Sequence, residues 1–428
     1  MKKIIYLFAF AALFVACEKE EMSTPPLSVE DPLAEVIRIA QEGAALLDDA
    51  QTRSVVARRI DRSSISCKIN PATRAGEADD TLYYVVNYAD NAGFAIVSAD
   101  ENASDGARLI AVTESGSYTA GEKTENEGFN MYVDMLSAYF GEPSNKDSLL
   151  LIQPSPEYMG DSITEYTSYE YSEWESVGPL VSVKWGQGTP YNTYCFTPNN
   201  IQAPAGCVAT AIAQIMTAHK FPQQLALTYD PHNGQSLTLN WNLMQTHVSS
   251  SSCSSMICNH DMIAKMFRQI GDLSQMEYDE HISTALPADV ATAFRALGYQ
   301  CSDIQSYAWT LVRDNLDIAL PVFMGGFYNN NGYIMGGHAW VVDGYKLRFR
   351  YLVHHDLLYN INTILDEVEY HYLHINWGWD GQSNGYFRDD VLDPKAPYNL
   401  DEGEMIANQN NYNYWPQIVK DIYINTAN

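Results

Sequence analysis

Positive charge is in short supply in this chain. Its 25 Lys and Arg stand against 53 Asp and Glu, a formal charge of −28. Without a cationic surplus there are no counterions to release from a phosphate backbone, which excludes nucleic acid as a partner. Cysteine is scarce too. Seven occur in 428 residues; setting Cys17 aside, the rest are too sparse for the disulfide framework that staples small secreted domains. Cys253 and Cys258, in the serine-rich SSSSCSSMIC stretch, are the pair whose spacing invites a bridge. The apolar stretch of MKKIIYLFAFAALFVAC at 1–17 falls short of a comfortable membrane span. No internal repeat and no β-α-β alternation runs along the chain.

What is present is the composition of a globular protein, 46% hydrophobic and 12% aromatic, with 29 tyrosines that suit half-buried strands. The length allows two or three domains and at least one large core. Residues 1–17, with two lysines before the apolar stretch and small residues before Cys17, read as an export signal. The LFVAC ending resembles a bacterial lipobox, which makes Cys17 the expected lipidation site; an ordinary signal peptide with a chance cysteine is the alternative. Glu18, Lys19, Glu20 and Glu21 are similar to the acidic tether that sends some Gram-negative lipoproteins to the outer face, and 18–32 reads as a flexible linker.

Helical spacing begins with Leu33, Val36, Ile37, Ile39 and Ala40. TLYYVVNY and GFAIVSAD follow as strands of an antiparallel sheet with a turn at 90–93, and 126–139 reads as another helix, so 33–154 is expected to form a small α+β domain. Over 155–179 Glu, Ser and Tyr dominate without an apolar period, the pattern of an exposed junction. The stretch 180–428 places helices first, at 205–216, 261–271 and 288–297, and strands second, in LPVFMGGF, GGHAWVVDGYK, YHYLHINWGW and QIVKDIYIN. That order is α+β.

In AGCVATAIAQIM, 205–216, Val208, Ile212, Ile215 and Met216 share one face while Ala209, Ala211 and Ala213 permit close approach, so this helix is expected to be buried. Cys207, in its first turn, meets the positive end of the helix dipole, which favours thiolate over thiol; a packed core cysteine is the competing reading. A thiol nucleophile needs a base, a group that orients the base, and donors for the developing oxyanion. His338 follows Gly336 and Gly337 at a strand start, about 130 residues after Cys207, a separation comparable to that in papain-like enzymes. A core-satisfied histidine is the alternative. In HINWGWDG, Asn376 can accept from the imidazole and hold its tautomer, with Trp377 and Trp379 either shielding that bond from water or packing a core. Gln187, between glycines in WGQGTPYN, can supply one oxyanion donor and the Cys207 N–H the other.

The four motifs WGQGTPYN, AGCVATAIAQIM, GGHAWVVDGY and HINWGWDG, in that order, resemble the streptopain and interpain family of papain-like cysteine peptidases. The resemblance implies a papain-like fold over 180–428, with a helical lobe carrying Cys207, an antiparallel β lobe carrying His338 and Asn376, and a cleft between them. It implies an exported endopeptidase acting on polypeptides, with Cys207 as nucleophile, His338 as general base and then acid, Gln187 as oxyanion donor and Asn376 with Trp377 as the orienting shell. No metal and no organic cofactor belong to that chemistry. The domain at 33–154, whose sheet carries GFAIVSAD, resembles the family's propeptide and is expected to block the cleft until 155–179 is cut by another molecule of the same enzyme. A lipid on Cys17 then belongs to the propiece. The precursor is expected at the outer membrane or cell surface, and the mature peptidase outside the cell.

Two features depart from that pattern. Where the family has a short hairpin between DGYK and HINWGWDG, this chain carries an insertion at about 347–370, which either extends the β lobe or overhangs the cleft. His354, His355, His371 and His374 in or beside it raise a metal site, but His371 and His374, three apart in a strand, face opposite sides. MEYDEHISTALPAD replaces a Gly- and Ser-rich loop beside the substrate pocket, leaving Ser283 and Thr284, with Gly337, as loose substrate-binding candidates. Two other classes compete: a catalytically silent surface protein that binds polypeptide, and a Cys-His acyl transferase. Retention of Cys207, His338, Asn376 and Gln187 together favours the peptidase.

Overall fold

The computed structural model describes residues 32–47, 58–70, 81–100, 108–141, 157–159, 162–251, 260–330, 333–392 and 413–424. The export signal, Cys17, the linker before Pro32, and the pair Cys253 and Cys258 lie outside them. No helix among the described residues is long and apolar enough to cross a membrane.

The N-terminal domain is built from α1 (Pro32–Ala44), four strands β1 (Ile60–Ile69), β2 (Thr81–Tyr88), β3 (Phe94–Ser98) and β4 (Leu109–Thr113), and α2 (Glu127–Gly141). Proline opens α1, where its fixed φ suits the first turn and its missing N–H is not needed. Val36, Ile39 and Ala40 then fall on one side and pack with Val86, Ala95 and Val112 of the sheet. The strands β2 and β3 coincide with TLYYVVNY and GFAIVSAD, while β1 and β4 add two that the sequence reading did not anticipate.

The junction forms β5 (Glu157–Met159), β6 (Ser162–Tyr171) and β7 (Glu175–Val177). Beyond it come α3 (Cys207–His219), α4 (His260–Leu273), α5 (Pro287–Ala296) and α6 (Trp309–Asp317). The C-terminal strands are β8 (Gln305–Ser306), β9 (Val322–Asn330), β10 (Tyr333–Asp356), β11 (Ile361–Asn376), β12 (Gly385–Arg388) and β13 (Asn413–Val419). These thirteen strands form one sheet in the order β1-β2-β3-β4-β12-β11-β10-β9-β13-β8, with β6 and β7 along the far half of β10 and β5 along β6. The N-terminal domain therefore continues the C-terminal sheet, through Gly385 opposite Thr113 and Phe387 opposite Ala111.

Two readings gain detail. The junction expected over 155–179 has intermediate to exposed residues over 164–177 and carries three strands, because Tyr and Thr are strong strand residues once a partner edge is supplied. The insertion, left open between two placements, extends the β lobe: β10 and β11 run on as a hairpin to Asp356 and Ile361. The helical lobe has its own core around α3, Trp185 and Phe267. A second core is shared between the halves of the molecule, joining Phe94, Phe129 and Tyr132 to Trp340, Trp377 and Phe387.

Candidate active site

Cys207 opens α3 directly after Gly206, whose φ of 89° lies in the left-handed region that side chains disfavour. A Cβ on Gly206 would meet Met276 Cε at 2.7 Å, so the residue before the cysteine has no room for one. The helix behind it is buried from Val208 to Thr217, as its spacing indicated. The Gln187 loop lies alongside: Ala205 N–H donates to the Gln187 carbonyl at 2.8 Å. That loop is backed by Asp380, whose carboxylate would lie 2.6 Å from a Cβ on Gly186 and accepts from Tyr191 Oη at 3.2 Å and Ser250 N–H at 3.0 Å.

His338 is 1% exposed and sits in β10 opposite Gly326 of β9. Its Nε2–H donates to the Trp377 carbonyl at 2.9 Å. A carbonyl can only accept, so this bond leaves Nδ1 as the basic nitrogen. Trp379 meets the imidazole edge-on at 6.2 Å and Trp340 lies nearly parallel to it at 6.3 Å. Asn376 does not touch the ring through any hydrogen bond described: its Nδ2 donates to the Val183 carbonyl at 2.8 Å and its Oδ1 accepts from Gly378 N–H at 3.3 Å. The orienting contact expected of the Asn376 side chain is therefore made by the main chain of the next residue. Asn376 instead ties the strand end to the segment leading into Trp185.

The sulfur of Cys207 lies within the influence of the Ala339 amide, one residue past His338, so helix and strand bring the two candidates to adjoining positions. The first turn of α2 packs against the His338 ring and Trp377. A Cβ on Gly128 would overlap the His338 ring and meet Trp377 Cε3 at 2.7 Å. Asn126, buried, caps this helix by accepting from Phe129 N–H at 3.0 Å and pins it by donating to the Gln382 carbonyl at 3.1 Å. Met131 rests on Gly326, the cross-strand partner of His338.

The electrostatics follow from that coverage. Burial pushes the Cys207 thiol up to about 11, the amides of Ala339 and Val208 opposing it and the Glu127 charge adding to it. Burial also drives His338 down to about 4 against its bond to Trp377. Thiol and imidazole are both neutral across the physiological range, so the helix dipole at Cys207 does not prevail in this state.

The substrate-binding candidates are occupied locally. Ser283 Oγ donates to the Pro204 carbonyl at 2.7 Å, and Thr284 pairs with Glu277 through both backbone groups. Both hold the loop that seats Met276 on Gly206. Gly337 lies in the β9–β10 ladder opposite Phe327. No group of three or more His, Cys, Asp or Glu suited to a metal occurs among the described residues. His371 meets Asp389 at 3.3 Å and Glu369 at 3.1 Å, whereas His374 meets Asp343 at 2.6 Å and Glu114 at 3.3 Å, two separate networks. Glu114 belongs to the N-terminal domain and also pairs with Lys184 at 2.5 Å. Sequence reasoning missed Gly128, Glu114 and Trp340; only Trp340, two residues past His338 on the same strand face, carried a signal in the periodicity.

Fold and site together define a thiol peptidase whose N-terminal domain sits on its own catalytic half. Residues 185–387 match the Peptidase C10 family model, and residues 45–140 match that of the Spi protease inhibitor. The chain is 24% identical over 393 residues to the thiol protease/hemagglutinin PrtT of Porphyromonas gingivalis, a match covering 84% of this chain but only 40% of that protein's length. It is 25% identical over 371 residues to streptopain of Streptococcus pyogenes, covering 78% of this chain and 80% of streptopain. A solved fragment of Prevotella intermedia prointerpain A, 20% identical, superposes with a TM-score of 0.51 over 86% of this chain and 100% of that one, which speaks to the fold. Residues 185–387 are thus a Peptidase C10 cysteine peptidase region similar to streptopain, and with the Spi-type inhibitor region ahead of it the chain has the make-up of a cysteine protease zymogen.

Proposed function

We propose that the chain is an exported cysteine endopeptidase held latent by α2 of its propeptide. The observation that carries this reading is the fit of side-chain-free Gly128 against His338 and Trp377, with the charge of neighbouring Glu127 felt at Cys207. When α2 leaves, water and substrate reach the pair, desolvation falls, and proton transfer from Cys207 to His338 Nδ1 gives a thiolate and an imidazolium. The thiolate attacks the scissile carbonyl. The oxyanion is met by the Cys207 N–H and the Gln187 carboxamide. Imidazolium delivers its proton to the departing amine, leaving a thioester on Cys207. His338 then takes a proton from water, which attacks the thioester and frees the acid. Trp379 shields the imidazole face, and the Trp377 carbonyl fixes the tautomer. Lipidation at Cys17 would hold the precursor at the cell surface and let maturation release the peptidase.

Expression of residues 18–428 tests the reading. The wild-type chain is expected to shorten to the catalytic half on incubation, while Cys207→Ala stays intact unless mixed with active enzyme. Self-shortening of the alanine variant alone would refute Cys207 as nucleophile. Once mature, activity is expected to follow a bell-shaped pH profile whose limbs belong to the Cys207 and His338 couple.

A further inference from the structure

The junction and the insertion are paired with each other. Strand β6 lies antiparallel on β10 from Tyr171 opposite Arg350 to Glu165 opposite Asp356, and β7 continues the ladder from Glu175 opposite Leu347 to Val177 opposite Tyr345. Phe349 and Ser172 bridge the gap between them, with Ser172 N–H donating to the Phe349 carbonyl at 2.9 Å and Phe349 N–H to Ser172 Oγ at 2.9 Å. Side chains match across the ladder. The Arg348 guanidinium lies over Tyr171 at 4.4 Å and Trp174 at 4.5 Å, and Arg350 over Tyr169 at 4.8 Å. His355 stacks on Tyr166 at 4.4 Å and hydrogen-bonds Ser168 Oγ at 2.8 Å.

We propose that the insertion at 347–370 is a receptor for the junction strand: it keeps residues 162–177 on the catalytic half when the propeptide is released, so the matured N terminus precedes Ser162. The proposal rests on the zymogen reading above. A peptidase takes its substrate as an extended segment with a free backbone, and a strand already bonded to a neighbour must first be peeled away. Residues 165–172 and 175–177 are bonded in that way to the insertion strand, and Ser162 and Ile163 to β5. Beyond them the chain has no slack: Leu180 N–H donates to the Asp343 carbonyl at 2.8 Å and Val181 N–H to Asp343 Oδ2 at 2.9 Å, just ahead of the Gln187 loop. Losing the junction strand would also uncover the β10 edge from Tyr345 to Asp356, an unpaired template for other chains. The acidic, tyrosine-rich composition of the junction is thus read as complementarity to Arg348, Arg350 and His355 rather than as a feature of an open cleavage loop.

The test uses the full Cys207→Ala chain and added subtilisin, so it does not depend on the chain's own activity. Mass spectrometry of the first stable catalytic fragment is expected to find its N terminus before Ser162. In the Arg348→Glu/Arg350→Glu double variant, cuts within 162–177 are expected to come at least about tenfold faster, the upstream cut keeping its rate. Should that variant fail to fold, His355→Ala is expected to give the same change at about threefold. Cutting of the parent within 162–177 as fast as upstream, or a variant pattern identical to the parent's, would overturn the proposal. Failure of the wild-type chain to shorten by itself would count against the zymogen reading and leave the subtilisin result standing.

Discussion

Gly128 has no side chain because the His338 ring occupies the space one would need. Replacing it with Ala forces the propeptide helix, the imidazole or Trp377 to move, and overpacking of this kind costs about 1–3 kcal/mol. Gly128→Ala is therefore expected to loosen the propeptide by roughly 5- to 150-fold and to speed maturation, measured as the half-time of conversion of the full chain. Within the mature site, Gln187→Ala is expected to lower kcat by about 10²–10³ with KM little changed, the signature of a donor used in the transition state. Asn376→Ala should behave differently. Its carboxamide serves two backbone groups, so the loss is expected in stability, about 1–3 kcal/mol by denaturant unfolding, more than in kcat. Cys207 and His338 stood out as candidates in the sequence because a glycine precedes a small-residue helix and two glycines precede the histidine, although Gly336 and Gly337 lie within β10 and not ahead of a strand start. The exchange of roles between the Asn376 side chain and the Trp377 carbonyl was not, since it depends on where the next strand puts its backbone.

At the level of elements, the propeptide is held by an added strand and one buried charge cluster. Burial alone would raise Glu114, yet the His374 hydrogen bond and charge and the Lys184 ammonium hold it well below the usual carboxylate range. Burial alone would lower His374, yet Asp343 and Glu114 keep it up at about 9. The signs set the pH window. A raised His374 contributes stability that is full below its ordinary value near 6.5 and is lost as pH climbs through about 9; a depressed Glu114 contributes above the ordinary carboxylate range and is lost only in strong acid. The cluster's contribution is thus fullest just below neutrality and falls progressively from about pH 6.5 to about pH 9. Thermal unfolding of the Cys207→Ala chain between pH 7 and pH 10 is expected to show that fall, and Glu114→Gln to show a lower midpoint with a flatter alkaline limb. Equal midpoints for the two chains at pH 7 would contradict the cluster's role. Helices and strands with a clean apolar period were readable along the chain, as α2, α3 and β2 illustrate. Strands β5 to β7 were not, because they have no apolar face of their own and take their order from the edge of β10.

Across the whole molecule, one sheet and two shared cores join propeptide to peptidase. Phe129 and Tyr132 are buried with Trp377 and Phe387, so release of the propeptide uncovers the very tryptophan whose carbonyl orients the imidazole. Motif order could indicate the two-lobed peptidase, but the continuity of β4 with β12 is a pairing of residues some 270 positions apart in sequence, and no local pattern encodes it. Latency is then a property of the joined structure: the same thiol is expected to be inert with α2 in place and reactive without it. The direct measurement is the rate at which iodoacetamide modifies Cys207 at pH 7, relative to half-buried Cys301 in the same chain, before and after propeptide removal. In the intact chain the two cysteines should react at comparable, slow rates; after removal Cys207 should react at least about 100-fold faster than Cys301, as a thiolate paired with imidazolium does. Equal reactivity of Cys207 in both forms would contradict an active-site thiol held latent by the propeptide.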